Sequence, residues 1–309
     1  MYRKDFTLSH DEITLIADRL KLILGSRFEH HYYTGFEIQP NGHILWTPLK
    51  RHTIWAAVSR AVRTPSQVDR DLKSLYAAVL PPGLLFSGSP TALYSISGNS
   101  NYASEELIAY DIGYRFQPSD DISIDIASFY NTYNNLRTYE LGNPFLEISS
   151  SSAHLIIPTT LSNKKYGETY GLELSTQWQV LPQWRLHASY SNLQVQMHGK
   201  DGTTDTVTIN REEGTSPRNQ FTLRSSYDLH ENMEIDAFIR YVDRLSTDAI
   251  NSYTEMDIRF GWNPLKNLSV SIVGQNMLNG SHTEFKAEGF YIQKTDIQRG
   301  IYGKVTWRF

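Results

Sequence analysis

The chain has 309 residues, of which 40% are hydrophobic and 20% charged, with a formal charge of -4. It is long enough to bury a large core, and it is too near neutral, with no basic stripe, to suit nucleic acid. It contains no Cys, which excludes a disulfide framework and thiolate chemistry, and no run of about 18 apolar residues that would make a transmembrane helix.

Taken in chain order, the pattern is one of alternating side chains. Phe6–Ile16 reads as a strand ending at a turn at Asp18-Arg19, followed by Lys21–Glu29 with Leu20, Leu22 and Leu24 on one face. A short loop, His30–Thr34, leads to a strand over Gly35–Thr47. The turn Pro48–Arg51 leads to another over His52–Arg60, in which Ile54, Ala56 and Val58 alternate with Trp55, Ala57 and Ser59. Ala61–Ser104 is rich in Pro, Ser, Gly and Asn, with turn chemistry at Pro81-Pro82-Gly83 and Ser97–Asn101, and reads as a long irregular loop. Strands are expected over Leu107–Phe116 and, after a turn at Pro118–Asp121, from Ile122 towards Tyr139. Gly142–Asn163 reads as a second long loop. Tyr166–Val180 and Trp184–Val195 flank a turn at Leu181–Gln183, and His198–Ser216 is a third polar loop. The strands Phe221–Leu229 and Met233–Tyr241 flank His230–Asn232. After a loop over Asp243–Ser252, Thr254–Trp262 and Leu268–Asn276 flank Asn263–Asn267. A loop from Met277 to about Lys294 leads to a last strand over Gly300–Phe309, where Ile301, Gly303, Val305, Trp307 and Phe309 share one face and Tyr302, Lys304, Thr306 and Arg308 the other.

Two regularities follow. The strands run to about ten residues or more, against about five or six in soluble sheets. Short turns and mostly long loops alternate, which fits an outer-membrane β-barrel with short periplasmic turns and long extracellular loops better than a β-sandwich. The 19 Tyr, 13 Phe and 6 Trp suit membrane interfaces. The mean hydropathy of -0.42 does not oppose a membrane, because only alternate residues of a barrel strand meet lipid. The expected fold class is all-β: an antiparallel transmembrane β-barrel occupying residues 1–309 as a single domain. Roughly thirteen strands are expected, whereas single-chain bacterial barrels close with an even number. The N-terminus has no apolar segment of the kind a signal peptide needs. Parity and start together predict that an N-terminal part lies outside this sequence. At about 24 residues per strand, a plugged barrel of about 22 strands needs roughly 500.

The motifs Leu22–Glu29, Gly35–Asn41, Leu45–Pro48, Trp55–Ser66, Tyr110–Tyr114, Tyr170–Leu174, Gly274–Leu278 and Gly303–Phe309 together resemble the C-terminal barrel of a TonB-dependent outer-membrane receptor. Ser59–Ser66 and the Gln275–Leu278 and Phe309 endings are the most specific, and the resemblance spans nearly the whole chain. It implies a 22-stranded barrel in the bacterial outer membrane, an N-terminal plug, and a TonB box engaging an energised inner-membrane complex. It also implies uptake of a scarce nutrient such as a ferric siderophore, haem, cobalamin or glycan. The plug, TonB box and signal peptide are not found in this sequence, so a barrel fragment, inactive alone, is expected. A porin-like passive channel is the alternative. The implied partners are outer-membrane lipid, the barrel-assembly machinery, a small nutrient ligand, and TonB only through a plug. The face Ile301, Gly303, Val305, Trp307 and Phe309 matches the family's C-terminal assembly signal.

Arg60 and Arg63, at the end of one strand before the longest loop, are candidates for contact with plug carboxylates or an anionic substrate, since Arg binds carboxylate in bidentate fashion. The bland alternative is a solvated strand-end cation pair. Asp111, Arg115, Asp125, Glu173, Arg224, Asp228, Asp257 and Arg259 are expected to face the lumen and pair across strands. His10, His30, His31 and His43 lack metal-ligand spacing, and Asp120-Asp121 fits turn chemistry, so no metal or cofactor is expected. No Gly-x-Ser-x-Gly elbow, phosphate-cradling loop or His-Glu-x-x-His site occurs, and no catalytic residue is expected.

Overall fold

The alternating pattern becomes one long antiparallel sheet. The computed structural model describes residues 5–81, 83, 85, 87–148, 153–247, 249–285 and 295–309. The strands of the main path are β1 (Asp5–Ile16), β2 (Leu20–His31), β3 (Gly35–Leu49), β4 (His52–Arg63), β7 (Glu105–Ser119), β8 (Ile122–Leu141), β10 (Ala153–Leu181), β11 (Trp184–Gly199), β12 (Asn219–His230), β13 (Met233–Val242), β14 (Tyr253–Leu265), β15 (Leu268–Gln275) and β18 (Gly300–Trp307). They lie side by side in that order, thirteen in number, as the sequence predicts. Short turns join them at one end, and the larger connections gather at the other. β2 and β3 are the exception there, joined through residues 32–34 alone.

The long connections are more ordered than their composition suggests. Residues 61–104 hold the end of β4, the helix α1 (Gln67–Asp71), and a hairpin of β5 (Leu75–Leu80) and β6 (Thr91–Ser97). The expected second loop is mostly strand: β9 (Phe145–Ile148) and the first half of β10 fill it. Pro158 hid this, because proline removes a ladder donor and reads as a strand breaker. It lies where β10 takes β6 as a parallel neighbour, opposite Ser95. The third loop carries α2 (Thr206–Glu212), and the last carries β16 (Ser281–Phe285) and β17 (Thr295–Gln298), paired with each other. Elements this short offer too few periods to register as a pattern. Pro82 and the part of the last loop from 286 to 294 lie outside the described residues.

The two faces differ chemically along the register. Leu22, Ile44, Ala56, Ile112, Ser128 and Leu172 stand side by side across six strands on the apolar face. In the neighbouring row Tyr110, Tyr130 and Tyr170 follow one another, with ring centroids 6.5 and 6.4 Å apart. Opposite, a polar row runs Arg115, Asp125, Ser175, Ser189, Thr222, Arg240 and Glu255. On β18 the apolar side chains stand bare, with Ile301 70% and Trp307 71% exposed. Among the described residues, the cluster of buried apolar side chains, Leu80, Ala92 and Ile157 with Tyr94 and Leu155, sits where the β5–β6 hairpin packs on β10, outside the main path. A single sheet layer with a bare apolar face and no core beneath it is stable only where something apolar covers that face.

Two glycines of the sequence motifs are explained by cross-strand aromatics. The Trp55 indole lies over Gly113, its register partner, where an added Cβ would meet Trp55 Cε2 at 2.2 Å. Phe129 likewise covers Gly171, where a Cβ would also stand 2.0 Å from the Asn192 carbonyl oxygen. The first clash is relieved by swinging one indole, whereas the second requires the backbone to part. Gly171→Ala should therefore destabilise the sheet more than Gly113→Ala, within the range of about 1–3 kcal/mol for overpacking. Denaturant midpoints in detergent micelles read the order directly, and the reverse ranking would refute the account.

Candidate functional site

At the loop end, the segment after β4 is tied down by a charged network. Ser66 caps α1: its hydroxyl accepts from Asp69 N at 3.2 Å, while the Asp69 carboxylate accepts from Ser66 N at 2.8 Å. Such a capping box satisfies donors that a helix start leaves unpaired. The Asp69 side chain, 1% exposed, also receives Arg63 Nη1 at 3.2 Å and Arg137 Nη1 at 3.4 Å. Burial alone would raise its pKa, but the Ser66 donors and the Arg63 charge hold it below the usual carboxylate range. Arg63 forks onto Glu105, with Nη2 at 2.6 Å and Nε at 2.8 Å from its two oxygens, and Nη2 reaches the buried Tyr102 hydroxyl at 3.0 Å. Tyr102 donates to Glu105 at 2.9 Å, and burial beside that carboxylate pushes its phenol well above the normal range. Arg70 then reaches the β2–β3 tip, donating to the Tyr33 carbonyl at 3.1 Å and lying over its ring at 4.9 Å, while the Tyr33 hydroxyl donates to Asp71.

Arg60 and Arg63 do not share a face. They are opposite Ile108 and Glu105 of β7, three positions apart, and alternation sends their side chains to opposite sides. Arg60 pairs with Glu106 at 2.9 Å and donates to the Ile38 carbonyl, on the side that also bears Val58 and Tyr110.

Of the charges expected to pair on the polar face, Arg115 and Asp125 pair with each other, and Arg259 and Asp228 pair with residues outside that set. Arg115 meets Asp125 at 2.6 Å, directly across the register. Arg259 takes both Glu234 and Asp236 at 2.7 Å, Arg185 takes Asp228 at 3.1 Å, and Asp257 accepts from Asn276 N at 2.9 Å. Arg224 lies over the Phe238 ring at 5.5 Å. At the turns, Arg51 bonds Asp120 at 3.1 Å. His30 packs edge-on against Phe36 and His31 tilts against Tyr33.

A second rim cluster went unread in the sequence. Glu255 of β14 and His282 and Glu284 of β16 bring ligand atoms within 4.8 Å of one another. His282 Nε2 stands 3.1 Å from Glu284 and 3.6 Å from Glu255. Arg240 bridges both carboxylates, with Nη2 2.5 Å from Glu284 and Nε 2.9 Å from Glu255. The Nε approach lies off the hydrogen-bond axis, so that contact is ionic. The Tyr253 ring stacks on His282 at 4.2 Å. A cavity of about 530 Å³ opens beside it, lined by Tyr253, Thr254, Ser281 and His282 among others. The His-x-Glu spacing of Ser281-His-Thr-Glu284 was the available signal, since residues two apart on a strand share a face.

A long-stranded antiparallel sheet, apolar on one face, ion-paired on the other and with its large connections at one end, defines a membrane β-barrel wall. The chain belongs to the family described as TonB dependent receptor-like, beta-barrel, which matches residues 9–277. In structure it is similar to the ferric enterobactin receptor PfeA of Pseudomonas aeruginosa in a doubly substituted form, with TM-score 0.76 and 17% identity, covering 99% of this chain and 45% of that one. The siderophore receptor PirA of Acinetobacter baumannii gives TM-score 0.75 at 12% identity, covering 100% and 46%. The FrpB iron transporter of Neisseria meningitidis gives 0.68 at 17%, covering 99% and 45%. The chain thus spans a little under half the length of these receptors. No curated protein matches it in sequence.

The Asp69 network makes a pH prediction. Because its folded pKa is depressed, its stabilisation is fully present above the unfolded value of about 3.9 and is lost as pH falls through the folded value. Hydrogen exchange over residues 64–81 should therefore accelerate below about pH 4. Asp69→Ala should produce the same opening at neutral pH, costing about 2–3 kcal/mol locally through loss of the cap and of the arginines' partner. Unchanged protection in the variant would remove the network from the account.

Proposed function

We propose that the chain forms part of the barrel of an outer-membrane receptor for TonB-energised uptake of a scarce nutrient, a ferric siderophore before haem or cobalamin. The match over residues 9–277 carries the reading, and the siderophore and iron receptors among the similar folds support the choice of cargo. On this reading the chain works within a larger barrel, whose plug supplies the contact with TonB. Two further points favour a shared barrel: the coverage of under half of the solved receptors, and β1 and β18 standing at opposite ends of the strand order. Arg63, on the polar face, is the member of the arginine pair assigned to the lumen, where it shapes the rim loop. Arg60 braces the strand end on the other face. Lipid covers the apolar face, and the row ending at Phe309 is offered to the assembly machinery.

A strain deleted for the gene and complemented with its complete reading frame should regain uptake of one ferric siderophore and lose it again when TonB is removed. Uptake persisting without TonB would favour a porin-like channel instead. Refolded alone in detergent, residues 1–309 should give neither a heat-resistant monomer nor steady conductance, and finding both would sink the shared-barrel reading. Phe309→Ser in the complete protein should lower its outer-membrane level several-fold while leaving its denaturant midpoint in micelles unchanged. Normal membrane levels would remove Phe309 from assembly.

A further inference from the structure

The trio at the β14–β16 rim has a geometry that its hydrogen bonds alone do not explain. A zinc ion with bonds of about 2.0–2.2 Å in tetrahedral arrangement needs ligand atoms roughly 3.3–3.6 Å apart. His282 Nε2 meets Glu284 Oε1 at 3.1 Å and Glu255 Oε2 at 3.6 Å, close to two edges of such a tetrahedron. The carboxylates are already oriented: Arg240 engages Glu255 through Oε1, leaving Oε2 to face the imidazole. Arg240 alone leaves the pair of glutamates with one negative charge in excess. The imidazole is 7% exposed, yet its Nδ1 is buried without a hydrogen-bond partner. The other ring nitrogen, Nε2, is the one that faces both carboxylates and would take the ion. The adjoining cavity of about 530 Å³ gives an ion a way in and room for water in the remaining coordination position.

We propose that Glu255, His282 and Glu284 form a binding site for a divalent transition-metal ion of the zinc type. One imidazole and two carboxylates suit zinc better than calcium or magnesium, which take oxygen ligands throughout. The ion would sit between His282 Nε2, Glu255 Oε2 and Glu284 Oε1; Arg240 holds Glu255 by its other oxygen and touches Glu284 at that same Oε1. Because Glu255 belongs to the barrel wall and the other two ligands to β16, binding pins the β16–β17 loop to the rim. This site is independent of the cargo assigned above, since its ligands and its ion are tested without any siderophore.

The test is titration of the complete receptor in detergent with Zn²⁺ alone, read by calorimetry and by hydrogen exchange over residues 281–285. One ion per site should bind in the micromolar range or tighter, with slowed exchange at β16. His282→Gln should weaken it about 100-fold and Glu284→Gln at least about 10-fold, whereas His30→Ala, outside the site, should leave it unchanged. If His282→Gln does not insert, Glu284→Gln, which preserves shape, decides by the same titration. Equal affinity in the wild type and the site variants, or no binding in the micromolar range, overturns the proposal.

Discussion

The constraint on which the whole structure depends is that a backbone crossing hydrocarbon must pair every N–H and C=O within the protein. Each internal strand of the path meets that demand by pairing on both sides, and the path continues through thirteen strands. The demand does not stop where the long strands pass the membrane. β10 pairs with β8 and β11 along its lower length. Above Lys165, where β11 ends, β6 takes over that edge in parallel from His154 to Thr160, while β9 serves the other. The β5–β6 hairpin is therefore a cover for an edge that would otherwise template association. Where the β8–β10 register slips around Lys165, Asn135 turns left-handed, and Asn163 Nδ2 donates to its freed carbonyl at 2.6 Å. Asparagine suits that position because it tolerates the left-handed region better than most residues.

Once pairing is imposed, alternation decides the chemistry of the faces. The polar row from Arg115 to Glu255 climbs from near the β7–β8 turn to the rim at β13–β14, because tilted strands offset each register from the next. Its two ends are ion pairs, Arg115 with Asp125 and Arg240 with Glu255, and its middle is hydroxyl on hydroxyl, Ser189 to Thr222 at 2.6 Å. An exposed pair such as Arg115–Asp125 contributes only up to about 1 kcal/mol. The value of such pairs lies in register: a slip by one residue would drive these charges onto the apolar face.

The same logic says what the sequence could carry and what it could not. The thirteen strands and their short turns were legible because period-two patterning repeats over many residues. The opposite facing of Arg60 and Arg63 went unread when the two were taken as a pair, although three positions along a strand is an odd number. The rim was harder to read. The first part of β10 was hidden by Pro158, which stands opposite Ser95 of the parallel β6. α1, β9 and β16 are too short for periodicity; α1 and β16 are tied down by side chains across long sequence separations, Arg137 to Asp69 and Arg240 to Glu284, and β9 by its pairing with β10. The motif glycines Gly113 and Gly171 carried information without its reason: Trp55 and Phe129 lie 58 and 42 residues away in sequence and meet them only through the register.

Order at the rim is thus bought differently from order in the wall. Strands in the wall are held by backbone pairing that any alternating sequence could satisfy. The loops are held by a few charged groups with several partners each: Asp69 with Ser66, Arg63 and Arg137, and Glu105 with Arg63, Tyr102 and the Arg137 backbone. A loop fastened in this way is rigid while its charges are complete and opens when one is removed. Backbone pairing has no such dependence. The charged fastenings are thus concentrated at the loop end, where Arg63 and Arg240 each hold two carboxylates, while backbone pairing holds the wall below.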